Sequence, residues 1–332
     1  MNLGIAGTGY IAGTVLPVLK KLGISVNALC STPRSRQKME SMCKEYGIPR
    51  GFISYEEMLE AGGETEPLTD TVYIAAPNSL HCELAKKALL AGKHVIVEKP
   101  FASNLREARE MAELARERKL LVMEAISTLY IPDYLKAKEL LQRLGSVRII
   151  SCNFSQYSSR YDAFLKGDVK PVFDPAQSGG ALMDLNVYNI HYAVGLFGMP
   201  ESVYYQPNYE NGVDTSGILT LGYDGFSAVL VAAKDSKSPC FGQIQGTKGY
   251  LRHDSALNAC ENLFLVMNDG EESYFHEETI HRMAPEFLHF RDLVDGGNPE
   301  AAEEMLEHSL KVMEVLDRAR GSAGIKFPAD EN

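Results

Sequence analysis

Residues 3–22 read LGIAGTGYIAGTVLPVLKKL, and this stretch decides the fold. Leu3, Ile5 and Ala6 form a short apolar run that breaks at Gly7-Thr8-Gly9-Tyr10-Ile11-Ala12; Ile11, Val15, Val18, Leu19 and Leu22 then recur at helical spacing. The pattern is strand, tight turn, helix. In such a turn Gly7 permits the reversal, Gly9 leaves bare backbone for a pyrophosphate, and Ala12 lets helix and strand pack closely. The start of the helix offers N–H groups that have no partner within the helix, which suits phosphate oxygens. Pro17 lacks the N–H that a helix interior uses, so a kink or bulge is expected there.

The alternation continues outward from this unit. Ile24 to Cys30 reads as a strand and Ser35 to Tyr46 as a helix, followed by a short helix at 53–59 with Ser54 as N-cap and Glu57 completing a capping box. A buried strand, Val72 to Ala76, ends in Pro77-Asn78-Ser79-Leu80-His81, where Asn78 or Ser79 can cap a helix running to Leu90. His94 to Val97 is the next strand and ends in Glu98-Lys99-Pro100; a helix from Asn104 to Arg118 and a strand from Leu120 to Ala125 complete five β/α units. Such a series predicts a doubly wound parallel sheet. The loop beyond the second strand, Ser31-Thr32-Pro33-Arg34-Ser35-Arg36, bears on the cofactor. A fold of this kind that prefers NAD places an acidic residue about 20 residues past the glycines, whereas a 2′-phosphate calls for hydroxyls and Arg. No acidic residue occurs between the glycines and Glu40. Ser31, Thr32 and Arg34, with Arg36 in reserve, therefore point to NADP(H), with NAD(H) as second choice.

The whole chain sets further bounds. Its 332 residues suggest two domains, and a composition 45% hydrophobic and 23% charged is that of an ordinary globular protein. A net charge of −11 with no compensating basic block argues against nucleic acid as a partner. The chain opens on a strand without a signal-type segment and never approaches about 18 consecutive apolar residues, so a cytoplasmic protein without membrane contact is expected. The six cysteines are widely spaced with no C-x-x-C, which suits reduced, mostly buried thiols rather than disulfides or zinc. His276 and His281 do not have the spacing of a zincin pair, so no metal site is expected.

Beyond a helix from Pro132 to Leu144 the pattern changes. Residues 147–157, 202–207, 216–223, 226–233, 240–245, 249–253 and 263–267 read as consecutive strands, and hence as a mostly antiparallel sheet in an α+β domain. The expected organisation is a dinucleotide-binding domain over 1–125 and a substrate and oligomerisation domain over 126–332, with the C-terminal helices (285–296 and 299–321) able to pack back on the first. An open sheet with an apolar face needs covering, which predicts a homodimer or homotetramer.

Two constellations carry the chemistry. Lys99 stands at the carboxyl end of a parallel strand, where doubly wound folds place their ligands, with its ammonium available to a substrate hydroxyl. In residues 178–191, SGGALMDLNVYNIH, Asp184, Tyr188 and His191 fall four and three apart, on one helical face amid apolar neighbours. Burying such a stripe unpaired would cost several kcal/mol. A site facing Lys99 accounts for it, with Tyr188 donating and accepting the proton and Asp184 orienting substrate hydroxyls; a satisfied polar interface between domains is the structural alternative. Tyr157, Arg160 and Tyr161 either line a sugar pocket or cover the sheet edge.

GTGYIA, PNSLH, EKP and MEA (Met123-Glu124-Ala125), in that order and spacing, resemble the Gfo/Idh/MocA family of NAD(P)-dependent oxidoreductases. The resemblance runs over nearly the whole chain. It implies a Rossmann domain followed by an open, mostly antiparallel sheet whose exposed face forms the oligomer contact. It implies Lys99 as catalytic lysine, Lys99-Pro100 as a candidate cis bond, and His81 beside the nicotinamide. The cofactor would be held by Gly7, Thr8, Gly9, Tyr10, Ile11, Ser31, Thr32, Arg34, Ala76, Pro77, Asn78, His81, Glu98 and Lys99, and the substrate by Lys99, Asp184, Tyr188, His191, Tyr157 and Arg160. Residues 178–188 resemble the family's G-G-G-x-x-x-D pattern with Ser178 for one Gly and Tyr188 in place of His, as in the glucose-fructose oxidoreductase and dimeric dihydrodiol dehydrogenase branches. Leu129 stands where those branches often carry Arg. The implied chemistry is reversible hydride transfer between NADP(H) and a carbinol carbon of a sugar, polyol or related vicinal diol. A cofactor-binding regulator of the same fold is the alternative, but it would have no need of the Lys99/Tyr188 proton relay.

Overall fold

The computed structural model describes residues 1–63 and 66–331. The chain forms two compact units: Met1–Ala125 with Met283–Ser309, and Ile126–Arg282 with Leu310 to the C-terminus.

In the first unit, β1 (Asn2–Ala6), α1 (Tyr10–Lys21), β2 (Ser25–Cys30), α2 (Arg36–Tyr46), β3 (Arg50–Phe52), α3 (Tyr55–Glu60), β4 (Thr71–Ile74), α4 (His81–Leu90), β5 (His94–Glu98), α5 (Leu105–Arg118) and β6 (Val122–Ala125) follow in order. The six strands lie parallel as β3-β2-β1-β4-β5-β6. The order reverses between β1 and β4, the switch point at which such sheets bind ligands. Every residue of β4 and β6 is buried, as a parallel sheet covered on both faces requires.

Local details follow from single side chains. Ser54 accepts from Glu57 N at 3.2 Å and Asn104 from Glu107 N at 2.9 Å, so both helices start on the caps their sequences offer. Three expectations change. The sheet has a sixth strand, β3, which at three residues is too short to show a period. Asn78 and Ser79 lie within a 3-10 turn (Asn78–Leu80) that leads into α4, with Pro77 rather than either of them at the cap position. Helix α1 is continuous through Pro17.

The second unit contains α6 (Pro132–Leu140), β7 (Val147–Ser155), α7 (Tyr161–Leu165), a π-helical turn (Leu182–Asn186) running into α8 (Val187–Phe197), and then β8 (Ser202–Glu210), β9 (Val213–Tyr223), β10 (Phe226–Ala233), β11 (Phe241–Gly246), β12 (Gly249–His253), β13 (Leu263–Met267) and β14 (Glu272–Phe275). The sheet runs β14-β13-β12-β11-β7-β10-β9-β8 and is antiparallel except for β7 beside β10. Its edge strand β14 was not expected, because its four mostly exposed residues lack alternation. Ile150, Cys152, Leu219, Leu230, Ile244 and Leu251 are buried on one face; Ile149, Tyr204, Ile218, Val229, Tyr250 and Tyr274 are exposed.

Two helices end the chain. In α9 (Ala284–Gly296), Phe287 meets Tyr73 of β4 edge-on at 5.3 Å within the first unit. The last helix, α10 (Pro299–Ala323), begins in the first unit and ends in the second. Its Glu303 and Glu307 both take the guanidinium of Arg116 on α5. All six cysteines are free thiols, and burial pushes Cys30 up to about 11 and Cys82 to about 12, far from a reactive thiolate. Among the described residues no helix is long and apolar enough to cross a membrane.

Candidate functional site

In the first unit the site is built at the carboxyl edge of the parallel sheet. Gly7 has φ +121°, and a Cβ there would lie 2.3 Å from the carbonyl oxygen of Ala75, so the turn admits only glycine. Gly9 has an ordinary extended backbone, and a Cβ there would meet open space. What Gly9 offers is clearance. It also occupies the N-cap of α1 without a side-chain cap, and the first turn carries no acidic residue, so nothing competes there with a bound anion. Thr8 is buried, Ile11 half-buried, and Tyr10 is 77% exposed beside this opening.

At the end of β2, Ser31 N donates to Phe52 O at 3.0 Å and its hydroxyl to Thr32 O at 3.2 Å. Thr32 and Arg34 follow, exposed, on a 3-10 turn. This end of the sheet thus presents hydroxyls and a guanidinium with no carboxylate before Glu40, a set that fits a ribose 2′-phosphate. Ala76, Pro77 and Asn78 are half-buried at the end of β4; Glu98 is buried and takes the hydroxyl of Tyr73. Lys99 is half-buried, and the Lys99-Pro100 bond is cis.

His81 lies in the interior of the first unit. Its ring is fully buried, with Nδ1 2.9 Å from Pro100 O and Nε2 3.0 Å from Ala76 O. Desolvation lowers its pKa, and a neutral imidazole donates to one of these carbonyls only. Both nitrogens face backbone, so His81 ties the turn after β4 to the turn after β5.

In the second unit the site is built on the turn before α8. Ser178 adopts φ +56°, the left-handed backbone for which a glycine would be the ordinary choice. At Gly180, φ is +125° and a Cβ would fall 1.9 Å from Asp214 Oδ1. The buried Asp214 carboxylate accepts from Leu182 N and from the Tyr205 hydroxyl, both at 2.8 Å, and so fixes the start of the turn. Burial pushes Asp214 up to about 6, against the pull of those two donors and of the Lys234 charge.

Asp184 follows in the π-turn and Tyr188 in the first turn of α8. Asp184 is 22% exposed, and its Oδ2 pairs with Lys234 Nζ at 2.8 Å. Tyr188 is 6% exposed, its ring 5.8 Å from that of Phe154. His191 is fully buried: α8 packs against β7 and β10, and this part of the helix lies in the interior. Tyr157 is exposed, with its hydroxyl on Asp162 Oδ1 at 2.7 Å and its ring edge-on to Tyr161, while Arg160 is half-buried at the start of α7. Lys234 was not foreseen. The signal in the sequence is a lysine closing the mostly apolar run FSAVLVAAK (226–234), where a buried charge is not tolerated without a partner. Among the described residues no group of three His, Cys, Asp or Glu side chains is placed to hold a metal ion.

Comparison with known proteins agrees with this architecture. Residues 1–126 match the family model described as an oxidoreductase family with an NAD-binding Rossmann fold, and residues 134–252 that of the GFO/IDH/MocA C-terminal domain. The scyllo-inositol 2-dehydrogenase (NADP(+)) IolU of Bacillus subtilis (strain 168) is 36% identical, over 100% of this chain and 99% of that protein. Trans-1,2-dihydrobenzene-1,2-diol dehydrogenase of Oryctolagus cuniculus is 29% identical, over 99% of this chain and all of its own. Among solved structures, KijD10, a 3-ketoreductase from Actinomadura kijaniata in complex with NADP and TDP-benzene, superimposes with a TM-score of 0.83 over 97% of each chain at 25% identity.

Proposed function

Because the chain belongs to the Gfo/Idh/MocA family of oxidoreductases, we propose that it transfers a hydride between NADP(H) and the carbinol carbon of a sugar, polyol or related vicinal diol. The observation that carries this reading is the end-to-end likeness to an inositol dehydrogenase whose name specifies NADP(+), in a chain that keeps Lys99, Tyr188 and Asp184.

When bound, the nicotinamide gives or takes the hydride. The protein's part is to bind, orient and move a proton. The backbone of Gly7, Thr8 and Gly9, with Tyr10 and Ile11, holds the pyrophosphate at the start of α1. Ser31, Thr32 and Arg34 hold the 2′-phosphate, and NAD(H), lacking that group, binds more weakly. Ala76, Pro77, Asn78 and Glu98 shape the nicotinamide end. Tyr188 takes the carbinol proton on oxidation and returns it on reduction, with Lys99 as its partner in that transfer. Asp184 accepts a hydrogen bond from a substrate hydroxyl, which favours a diol over a simple alcohol. Tyr157 and Arg160 bound the substrate. We further propose that a second copy of the chain covers the exposed sheet face, giving a homodimer or homotetramer, and that the protein works in the cytoplasm.

The test is an assay of the purified protein with scyllo-inositol and trans-1,2-dihydrobenzene-1,2-diol against NADP+ and NAD+, alongside fluorescence titration with NADPH. Lys99→Ala should lower kcat by at least roughly a hundredfold while leaving the NADPH dissociation constant within about threefold. A variant that loses NADPH binding but keeps kcat at saturation would remove Lys99 from the proton relay. A wild-type protein that binds NADPH yet turns over neither diol nor a wider sugar panel would favour a sensor.

A further inference from the structure

We infer that Lys234 is a positioning residue for the reaction, acting through Asp184, whose carboxylate it holds ionised and in one orientation toward a substrate hydroxyl. The inference rests on the reading of Asp184 given above. The backbone of Lys234 is clamped on both sides just past β10: its N donates to Thr215 O at 2.8 Å and its carbonyl accepts from Ser158 N at 2.9 Å. Its side chain is 2% exposed. From this fixed base Nζ reaches Asp184 Oδ2 at 2.8 Å and Val172 O at 2.5 Å, and lies 4.3 Å from the centre of the Phe173 ring. Three stretches of chain, 172–173, 184 and 234, are thereby locked together around one ammonium.

Stability alone does not call for this arrangement. A buried ion pair costs about as much in desolvation as it returns, and an apolar replacement of similar volume is often as stable or more so. What the pair does supply is a carboxylate with one oxygen held by the ammonium while the side chain remains 22% exposed, so a substrate hydroxyl that reaches it meets an acceptor of fixed direction. The charge matters as well. Asp214 on β9, Asp235 next to Lys234 and Asp174 next to Phe173 are carboxylates on neighbouring stretches of chain, and Tyr161 and Asp162 on α7, Tyr188, His191 and Tyr192 on α8, and Tyr205, which bonds Asp214, are further titratable groups on nearby elements. The ammonium opposes the tendency of burial and neighbouring carboxylates to protonate Asp184.

The experiment uses the full-length protein with 13C-carboxyl-labelled aspartate, the Asp184 resonance being assigned from its absence in Asp184→Asn. Lys234→Met should raise the Asp184 pKa by about one unit or more. The same variant should lower kcat/KM for scyllo-inositol, or for trans-1,2-dihydrobenzene-1,2-diol if that is the diol turned over, by roughly a hundredfold. The acid limb of the kcat/KM profile should move to higher pH, and the NADPH dissociation constant should stay within about threefold. Lys234→Met/Asp184→Asn should be no worse than Asp184→Asn alone, because the lysine acts through the carboxylate. If Lys234→Met does not fold, Lys234→Gln, which retains a donor for Val172 O, is read by the same criteria. An unmoved Asp184 resonance and acid limb, with only the melting temperature lowered, would make Lys234 structural and overturn the inference. Wild-type activity in Asp184→Asn would overturn the reading of the site and this inference with it; an impaired Asp184→Asn beside a silent Lys234→Met overturns the inference alone.

Discussion

Asp214 is fully buried beneath the turn that carries Asp184, and its pKa of about 6 makes it a measurable reporter of how that turn is held. An unfolded aspartate titrates near 3.9, so the folded state binds the extra proton between those values. The contribution to stability is therefore present below about pH 4 and is lost as pH rises through about 6, a swing of roughly 3 kcal/mol. Asp214→Asn removes that titration. Urea unfolding of both proteins at pH 4 and pH 7.5 should show the wild type losing roughly 2 kcal/mol relative to the variant over that interval, since the unfolded aspartate is already half ionised at pH 4. A constant gap would mean that the carboxylate is charged at both pH values. Nothing in TSG at 215–217 or in DTSG at 214–217 announces this behaviour. Residues whose role is set by near neighbours in sequence, such as Gly7, Ser54 and Asn104, were legible from the sequence. His81, His191 and Lys234 were not, because the atoms around them arrive from distant strands and turns.

The π-turn at 182–186 is the element that departs most from its sequence pattern. Asp184, Tyr188 and His191 fit one face of a regular helix, yet their exposure falls from 22% at Asp184 to 6% at Tyr188 and none at His191. A wider turn at the start, held by Asp214, changes how the helix enters the interior. Gly180 makes this possible: its φ of +125° and its contact with Asp214 leave no room for a methyl group. Gly180→Ala should therefore cost roughly 3 kcal/mol of stability and abolish the proposed diol turnover, while NADPH binding persists, because the residues proposed to hold the cofactor belong to the other unit. Thermal melting and NADPH titration of one preparation check both halves. An unchanged melting temperature would show that the turn can relax around the methyl. Strands β3 and β14 were missed for a simpler reason: at three and four residues, mostly exposed, they carry no periodic signal, and their partners alone define them.

For the molecule as a whole, the parallel sheet and the mostly antiparallel sheet were both legible as classes, because alternation of strand and helix, and then of strand and turn, is written locally. The order of strands was not, since β7 lies between β10 and β11 only through pairings across the whole second unit. The outer face of that sheet leads to the last test. Tyr204 and Val229 both flank Thr220, and Ile149 and Tyr250 both pair with Gln245, so apolar and polar side chains alternate in rows across neighbouring strands. Tyr204 and Tyr274 are each 58% exposed and Ile218 45% on this face. A two-fold interface uses the same patch on both copies, so one substitution acts twice. Val229 lies on the interior strand β10, and Val229→Glu would place an unpaired carboxylate in each half of the contact, at a cost of several kcal/mol. Sedimentation equilibrium should then find the wild type at a multiple of 36.6 kDa and the variant at 36.6 kDa, with an unchanged far-ultraviolet spectrum. Wild-type protein that sediments as a monomer at micromolar concentration would refute the second-copy reading, and the exposed rows would need another partner.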